Sequence, residues 1–228
     1  MDHDHSAHAT TTDSATTPDA TAVWEELYLR QDRIWSGNAN RALVEVLDEF
    51  GDRLTAGRAL DLGSGEGGDS LWLAAQGWRV TGLDISPTAI ARAGSHAAER
   101  GLGPDAVTFT RADLAVWQPE GEYELVSACF LHSMVEFPRE EVLRRAASAV
   151  APGGALLVVG HASFPAWSSA HEHEHDALPS SDEVLAALDL PAGEWRTLLS
   201  EARPREVTSP DGEPFTIDDA VLLVQRLG

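Results

Sequence analysis

The chain contains no lysine, and its only cysteine is Cys129. Without lysine, neither a Schiff base with a substrate carbonyl nor a phosphate-loop lysine is available. A single cysteine excludes a disulfide within the chain and is typical of a reducing compartment. No apolar run approaches the roughly 20 residues that cross a membrane, and the N-terminus lacks the basic and apolar regions of a secretion signal. We therefore expect a cytoplasmic protein.

Basic residues are scarce throughout the 228 residues. The sequence has 16 arginines against 37 acidic side chains, which gives a formal net charge of −21. Such a charge repels nucleic acid and anionic membrane surfaces, so we expect neither as a partner and favour a small molecule as the ligand. Hydrophobic residues make up 43% of the chain, which is sufficient for the core of one substantial domain.

The N-terminal part divides into a polar segment and a helical one. Residues 1–20 are small and polar without apolar periodicity, which predicts a disordered tail followed by a folded domain over residues 21–228. Apolar residues then recur at helical spacing as far as Trp35, which predicts a first helix that ends at the break over residues 36–38. A second apolar series from Leu43 to Phe50 predicts another helix.

After Gly57 the pattern alternates between short strands and helices, which is typical of a parallel sheet covered on both faces. The predicted strands cover residues 58–61, 78–83, 107–110, 123–130 and 155–160, and the helices cover residues 68–76, 88–100 and 139–150. Two later strand candidates, near residues 195–202 and 220–225, flank the turn signal Asp211-Gly212 and are expected to pair antiparallel. The sequence therefore predicts an α/β fold with a doubly wound, mostly parallel seven-stranded sheet and a reversed C-terminal strand.

A glycine-rich segment, LDLGSGEGG over residues 60–68, joins the first strand to the following helix. Glycines let the backbone turn sharply and approach a ligand closely. Asp84 ends the second strand, where a carboxylate can accept hydrogen bonds from both hydroxyls of a ribose. The pair predicts a nucleoside-like ligand at the carboxyl edge of the sheet.

Two kinds of nucleoside cofactor fit this pattern. Gly63, Gly65 and Gly68 match G-x-G-x-x-G, so an NAD-dependent oxidoreductase is one alternative. Asp61 stands two residues before the first glycine, where it would repel a pyrophosphate but could pair with the amino group of an amino-acid moiety. S-adenosylmethionine carries such a group, so the residues favour it over NAD.

The segment LDLGSGEG resembles motif I of the class I S-adenosylmethionine-dependent methyltransferases, and SLWLAAQGWRVTGLDISPTAI is similar to the corresponding stretch of tellurite-resistance and thiopurine methyltransferases. The resemblance extends from Trp24 to Leu227. It implies a Rossmann-like methyltransferase fold, S-adenosylmethionine as cofactor and a small-molecule methyl acceptor. The fourth strand is followed by no Asn-Pro-Pro-Tyr tetrapeptide, so nucleic-acid bases and protein glutamine are not expected as acceptors. A non-catalytic module that binds S-adenosylmethionine or a metal remains an alternative.

The resemblance also implies a set of cofactor-binding residues. The methionine part is assigned to Asp61, Gly63, Ser64 and Gly65, and the ribose to Asp84 and Ile85. The adenine is assigned to Ala112 and Asp113, and the sulfonium and methyl group to Cys129 and Phe130. Trp35 is assigned to a lid segment that covers the site.

Two histidines follow strands whose carboxyl ends form sites in open α/β sheets, namely His132 after the fourth strand and His161 after the fifth. Either could act as a general base for a hydroxyl or thiol acceptor, and a purely structural histidine is the competing interpretation. We take both as the candidate catalytic residues.

The run His171-Glu172-His173-Glu174-His175-Asp176 would place three histidines on one face of an extended chain, which suits a transition metal. Metal ligands usually come from rigid, separated positions, whereas this run lies in a polar loop. We therefore interpret it as a solvated acidic loop and predict no metal site. His96, on an alanine-rich helix, is expected to be exposed.

Overall fold

The computed structural model describes residues 19–164 and 178–228. The seven strands of this part are β1 (Arg58–Leu62), β2 (Arg79–Asp84), β3 (Val107–Arg111), β4 (Tyr123–Cys129), β5 (Val150–His161), β6 (Trp195–Thr208) and β7 (Pro214–Arg226). Its α-helices are α1 (Ala20–Leu29), α2 (Arg41–Phe50), α3 (Gly68–Ala75), α4 (Pro87–Glu99), α5 (Arg139–Ser148) and α6 (Ser181–Ala187), and a short 3₁₀ helix spans Gly51–Arg53.

The strands form one sheet in the order β3-β2-β1-β4-β5-β7-β6. Strands β1 to β5 are parallel, and β7 runs antiparallel to both β5 and β6. The predicted mostly parallel sheet with a reversed strand is therefore confirmed. The chain builds outward from β1 to β3 and then returns to place β4 on the other side of β1. This reversal is the position at which ligands bind in open α/β sheets.

Two hydrophobic clusters cover the sheet, and β1 contributes to both. Leu60 and Leu62 belong to one cluster, whereas Ala59 belongs to the other. Alternate residues of a strand point to opposite faces, so this five-residue strand is anchored on both sides and holds the following glycine loop in place. Within residues 19–164 and 178–228, no helix has the length and apolar character needed to cross a membrane.

The predicted first helix extends too far. Helix α1 ends at Leu29, and residues 30–40 are irregular. The backbone N–H groups of Ile34 and Trp35 donate to the carboxylate of Glu66, at 3.2 and 3.1 Å. A distant acid thus replaces the helical acceptors of these groups, and the apolar spacing alone could not reveal it.

Two other boundaries differ from the sequence prediction. Strand β5 begins at Val150 because the Pro-Gly-Gly segment is absorbed as an irregularity in its pairing with β4. The antiparallel pair is confirmed, and it is longer than predicted. Residues 1–18, which hold most of the predicted tail, lie outside the described residues. Helix α1 begins at Ala20, where Asp19 caps it by accepting from the N–H of Thr21.

Candidate active site

The loops that follow the first three strands are hydrogen-bonded to one another at the carboxyl edge of the sheet. The N–H groups of Gly63 and Ser64 each donate to the carbonyl of Leu83 at 2.8 Å, and the N–H of Ala112 donates to the carbonyl of Asp84 at 2.9 Å. The glycine loop, the end of β2 and the loop after β3 therefore meet, as the sequence predicts.

Gly65 lies under the N-terminal segment. Its φ of +53° is unfavourable for other residues, and a Cβ there would lie 3.0 Å from the Tyr28 hydroxyl oxygen and 3.2 Å from Trp35 Nε1. Trp35 Nε1 also donates to the Tyr28 hydroxyl at 3.0 Å. Only glycine allows this pair of aromatic side chains to approach the loop so closely. Trp35 itself is 50% exposed, so it covers the site from the solvent side.

Asp61 is a buried carboxylate, 2% exposed, at the end of β1. It accepts hydrogen bonds from Ser70 Oγ at 2.6 Å and Ser127 Oγ at 3.2 Å. No basic side chain of the described residues lies within ion-pair distance of it. Burial, together with the neighbouring Asp69 carboxylate, raises the pKa of Asp61 to about 7. Among residues 19–164 and 178–228, Asp61 therefore has no positive partner.

The thiol of Cys129 is hydrogen-bonded to Asp69, the carboxylate next to Asp61. Asp69 accepts from the N–H of Asn40 at 2.6 Å and from its Nδ2 at 2.7 Å, and it also accepts from the Cys129 thiol. Burial and the nearby carboxylates raise the pKa of Cys129, so its thiol stays protonated. Cys129 is thus a hydrogen-bond donor rather than a nucleophile.

Asp84 fixes the glycine loop through hydrogen bonds to its backbone. Its two carboxylate oxygens accept from the N–H of Gly65 and the N–H of Ser86, both at 2.9 Å, and the residue is 8% exposed. Burial raises the pKa of its carboxyl. If Asp84 binds the ribose as predicted, the ribose hydroxyls would donate to the same carboxylate oxygens that already accept from the backbone N–H groups of Gly65 and Ser86.

Two predicted residues lie further out on the rim. Asp113 is exposed and its carboxylate accepts from the N–H of Ala115 at 2.9 Å, which shapes the turn after β3. The carbonyl of Ile85 accepts from Arg111 Nε at 3.2 Å. Both stay at the edge expected for a nucleoside, on the side of β2 and β3.

Sequence reasoning missed a network around Glu66. Besides the N–H groups of Ile34 and Trp35, its buried carboxylate binds Arg92 Nη1 at 2.8 Å. Arg92 Nη2 donates to the carbonyls of Tyr28 and Gln31, at 2.9 and 2.7 Å. The signal in the sequence was an acid inside the glycine loop.

His96 is also part of this region, and the expectation that it is exposed was wrong. The residue is half-buried, and its Nδ1 lies 3.0 Å from the backbone oxygen of Glu66. Helix α4 therefore contacts the glycine loop through a second side chain besides Arg92.

His132 and His161 come together beyond the end of β4. Their ring centroids are 5.4 Å apart with 12° between the planes, and the Phe130 ring lies 4.5 Å from that of His161. Phe130 has a φ of +51°, an uncommon conformation for a non-glycine residue. Burial and the charge of Arg139 lower the pKa of His132 to about 4, so its ring is neutral at physiological pH.

The two histidines differ in their neighbours. His161 Nδ1 lies 3.8 Å from Asp219 Oδ1, and Asp219 is held by Arg205 through contacts of 2.7 and 3.1 Å. The histidine run over residues 171–175 lies outside the described residues. Within the part of the chain that is described, no group of His, Cys, Asp and Glu side chains could hold a metal ion.

Comparison with known proteins decides between the two nucleoside cofactors. Residues 59–154 match the family model described as a methyltransferase domain. The chain is 39% identical over 125 residues to 2-heptyl-1-hydroxyquinolin-4(1H)-one methyltransferase of Mycobacteroides abscessus, covering 53% of this chain and 54% of that protein. Residues 59–154 therefore have the sequence of a methyltransferase domain.

Solved structures agree with this assignment. The methyltransferase domain is similar, with a TM-score of 0.63 and 27% identity, to a protein solved in work on the conversion of a disulfide bond into a thioacetal group during echinomycin biosynthesis. That match covers 91% of this chain and 93% of the other. Magnesium protoporphyrin IX methyltransferase from Synechocystis, solved with bound S-adenosylhomocysteine, shares the fold at a TM-score of 0.63 and 18% identity, covering 91% and 100% of the two chains. The chain spans about half the length of the curated relatives it matches.

The site of this methyltransferase domain fits the cofactor of its class, S-adenosylmethionine. Asp61 lacks a cation that the amino group of the methionine part would supply. Ser64 Oγ is buried and has no hydrogen-bond partner among the described residues, so a polar ligand atom could satisfy it. Both features lie at the glycine loop, where the match to the family model begins.

Proposed function

We propose that the protein transfers a methyl group from S-adenosylmethionine to a small-molecule acceptor. The observation that carries the proposal is the buried, cation-free carboxylate of Asp61 beside the glycine loop of a methyltransferase domain. The name of the Mycobacteroides abscessus relative, which acts on a hydroxyquinolinone, supports a small acceptor. The net charge of −21 argues against nucleic acid as a partner, and the single cysteine supports a cytoplasmic location.

Each predicted residue has a role in binding the cofactor. Asp61 and the loop residues Gly63, Ser64 and Gly65 hold the methionine part, and Asp61 becomes fully ionised when the amino group pairs with it. Asp84 and Ile85 would hold the ribose. Ala112 and Asp113 would hold the adenine.

When bound, S-adenosylmethionine supplies a methyl carbon on a positively charged sulfur. Cys129 and Phe130 border this position, and the protonated thiol of Cys129 offers no competing nucleophile. Trp35 and helix α1 act as the lid of a single domain over residues 21–228. They exclude water and help to hold the acceptor in line with the methyl group, which is the main source of acceleration in such a transfer.

His132 and His161 are the proposed catalytic residues on the acceptor side. His132 is neutral and buried, and His161 has the Asp219 carboxylate nearby to orient its ring or to stabilise its protonated form. His161 is therefore the better placed of the two to receive a proton from a hydroxyl or thiol.

The proposal is tested by incubating the protein with methyl-labelled S-adenosylmethionine and a panel of small phenols, thiols and N-hydroxy heterocycles. We expect label transfer to at least one acceptor, with formation of S-adenosylhomocysteine. His161→Asn should lower turnover about ten-fold or more while S-adenosylhomocysteine affinity stays unchanged. Tight S-adenosylhomocysteine binding without transfer to any acceptor would instead favour a non-catalytic binding module.

A further inference from the structure

An arginine lies beside the two histidines, and its nearest acidic influence among the described residues is the neighbouring Glu140, which forms no ion pair with it. Arg139, at the start of α5, is half-buried, and its Nε donates to the carbonyl of Leu131 at 3.0 Å. No carboxylate of the described residues lies within 4.0 Å of its guanidinium nitrogens, whereas nearby Arg205 is paired with Asp219. Burial lowers the pKa of Arg139, as expected for a cation removed from water.

The side chains of Arg139 and His132 both lie next to the backbone of Gly160. A Cβ on Gly160, near the end of β5, would lie 3.6 Å from Arg139 Nη2 and 3.6 Å from His132 Nε2. The three residues line a small cavity of about 10 Å³, together with His161 and Ser181. This volume is about that of one water molecule or one ligand oxygen.

Two ring nitrogens of this cavity are buried without a hydrogen bond to any described residue, namely His132 Nε2 and His161 Nδ1. The second of them still faces the Asp219 carboxylate at 3.8 Å, and that carboxylate is itself held by Arg205. An unpaired, partly desolvated cation next to unsatisfied imidazoles is costly for a folded protein unless an anion completes the group. Because the protein has a large excess of acidic residues, an arginine without an ion pair among the described residues indicates a site for an anion.

We propose that Arg139, His132 and His161 form a subsite for an anionic oxygen of the methyl acceptor, so that the protein selects acceptors that carry a carboxylate, phenolate or similar ionised oxygen. The inference rests on the proposed function, because it takes this edge of the sheet as the acceptor side. Phe130 connects the two regions, since it follows Cys129 directly and its ring contacts His161.

The subsite changes what the histidines do in the reaction. An acceptor that binds as an oxyanion needs no base, because the lone pair of its oxygen, or of a neighbouring nucleophilic atom, attacks the methyl carbon directly. The new bond to that carbon forms as the carbon–sulfur bond breaks, and the sulfonium leaves as the neutral thioether. Arg139 holds the charge of the acceptor before transfer, and the two imidazoles lie beside it as further hydrogen-bonding groups.

The test uses benzoate and its neutral analogue benzamide as probes in calorimetric titrations of the full chain, with and without saturating S-adenosylhomocysteine. Two variants change the subsite in different ways. Arg139→Gln removes the charge, whereas Gly160→Ala places a methyl group in the cavity at ordinary van der Waals distance from the side chains of Arg139 and His132. Arg144→Gln, on the exposed side of the same helix, is the matched control for loss of one positive charge.

We expect benzoate to bind the wild-type protein at least ten-fold more tightly than benzamide. Arg139→Gln and Gly160→Ala should each weaken benzoate binding about ten-fold or more, since charged hydrogen bonds are worth that much, whereas Arg144→Gln should not. S-adenosylhomocysteine affinity should be the same in all four proteins.

Three outcomes would overturn the subsite: no benzoate binding by the wild-type protein, equal affinity for benzoate and benzamide, or unchanged benzoate affinity in both subsite variants. Gly160→Ala keeps the test decisive if Arg139→Gln does not fold. Failure of the proposed function would look different: the wild-type protein would not bind S-adenosylhomocysteine, or would bind it without methylating any acceptor. Failure of the subsite would show only in the benzoate titrations.

Discussion

The buried carboxyl of Asp61 makes the stability of the cofactor-free protein depend on pH. Its pKa of about 7 lies above the usual value of 3.8 because the carboxylate is buried near Asp69. A carboxyl with a raised pKa in the folded state stabilises the fold fully below pH 3.8, and this stabilisation is lost as the pH rises through 7. In the cofactor-free protein, Asp61 is thus an unfavourable buried charge above pH 7.

Asp61→Asn should therefore stabilise the cofactor-free protein. We expect the free energy of unfolding at pH 8 to rise by about 1 to 3 kcal/mol, with the gain shrinking towards pH 4, where the wild-type carboxyl is protonated. The same variant should bind S-adenosylhomocysteine at least ten-fold more weakly. Thermal melts at the two pH values and calorimetry measure these effects, and Asp105→Asn, at an exposed acid, is the control. A variant that is less stable at pH 8 would contradict the electrostatic interpretation.

Asp84 combines a structural role with its proposed role at the ribose. Asp84→Asn keeps one acceptor oxygen but places an amide against the N–H of Gly65 or Ser86, and we expect about ten-fold weaker S-adenosylhomocysteine binding. Asp84→Ala should in addition lower the melting temperature, because both backbone N–H groups lose their acceptor. Calorimetry and thermal melts distinguish the two effects. Unchanged affinity in Asp84→Asn would exclude a contact with the ribose.

At the scale of elements, residues 30–40 are held in place by the glycine loop rather than by helical hydrogen bonds. Glu66 accepts two backbone N–H groups from this segment and binds Arg92 of α4. The loop that contacts the cofactor and the segment that covers it are therefore connected through one buried side chain.

Glu66→Gln should loosen this connection. In the wild-type protein the two N–H groups share Oε2 of Glu66, while Oε1 binds Arg92. An amide has one oxygen for both tasks and no charge, so we expect at least ten-fold faster hydrogen exchange at Ile34 and Trp35. Glu26→Gln, which affects an exposed pair with Arg30, is the control. Equal exchange in the two variants would show that Glu66 does not fix the segment.

Most strands and helices could be predicted from the sequence because each of these elements has a local sequence pattern of its own. Buried parallel strands such as β4 appear as apolar runs, and α4 has Pro87 at its start. The irregular segment after α1 could not be predicted, because its conformation depends on an acid 31 residues away from Trp35. Arg139 was missed for a similar reason: only the fold brings it to His132.

At the scale of the whole molecule, the folded domain should not depend on the polar residues that precede α1. Deleting residues 2–18 while keeping the Asp19 cap should change the melting temperature and S-adenosylhomocysteine affinity very little. A longer deletion, of residues 2–21, also removes the Asp19 cap and the first two residues of α1, so it serves as the comparison. A large loss of affinity in the shorter deletion would show that the tail contributes to the site.

The central claim is that the carboxyl edge of this sheet binds S-adenosylmethionine, and the most direct test is a pair of calorimetric titrations of the purified protein. One uses S-adenosylhomocysteine and the other NAD, since both contain an adenosine but only the first has a positively charged α-amino group for Asp61. We expect saturable binding of S-adenosylhomocysteine, weakened in Asp61→Asn, and no heat of binding with NAD. Saturable binding of NAD with none of S-adenosylhomocysteine would contradict it.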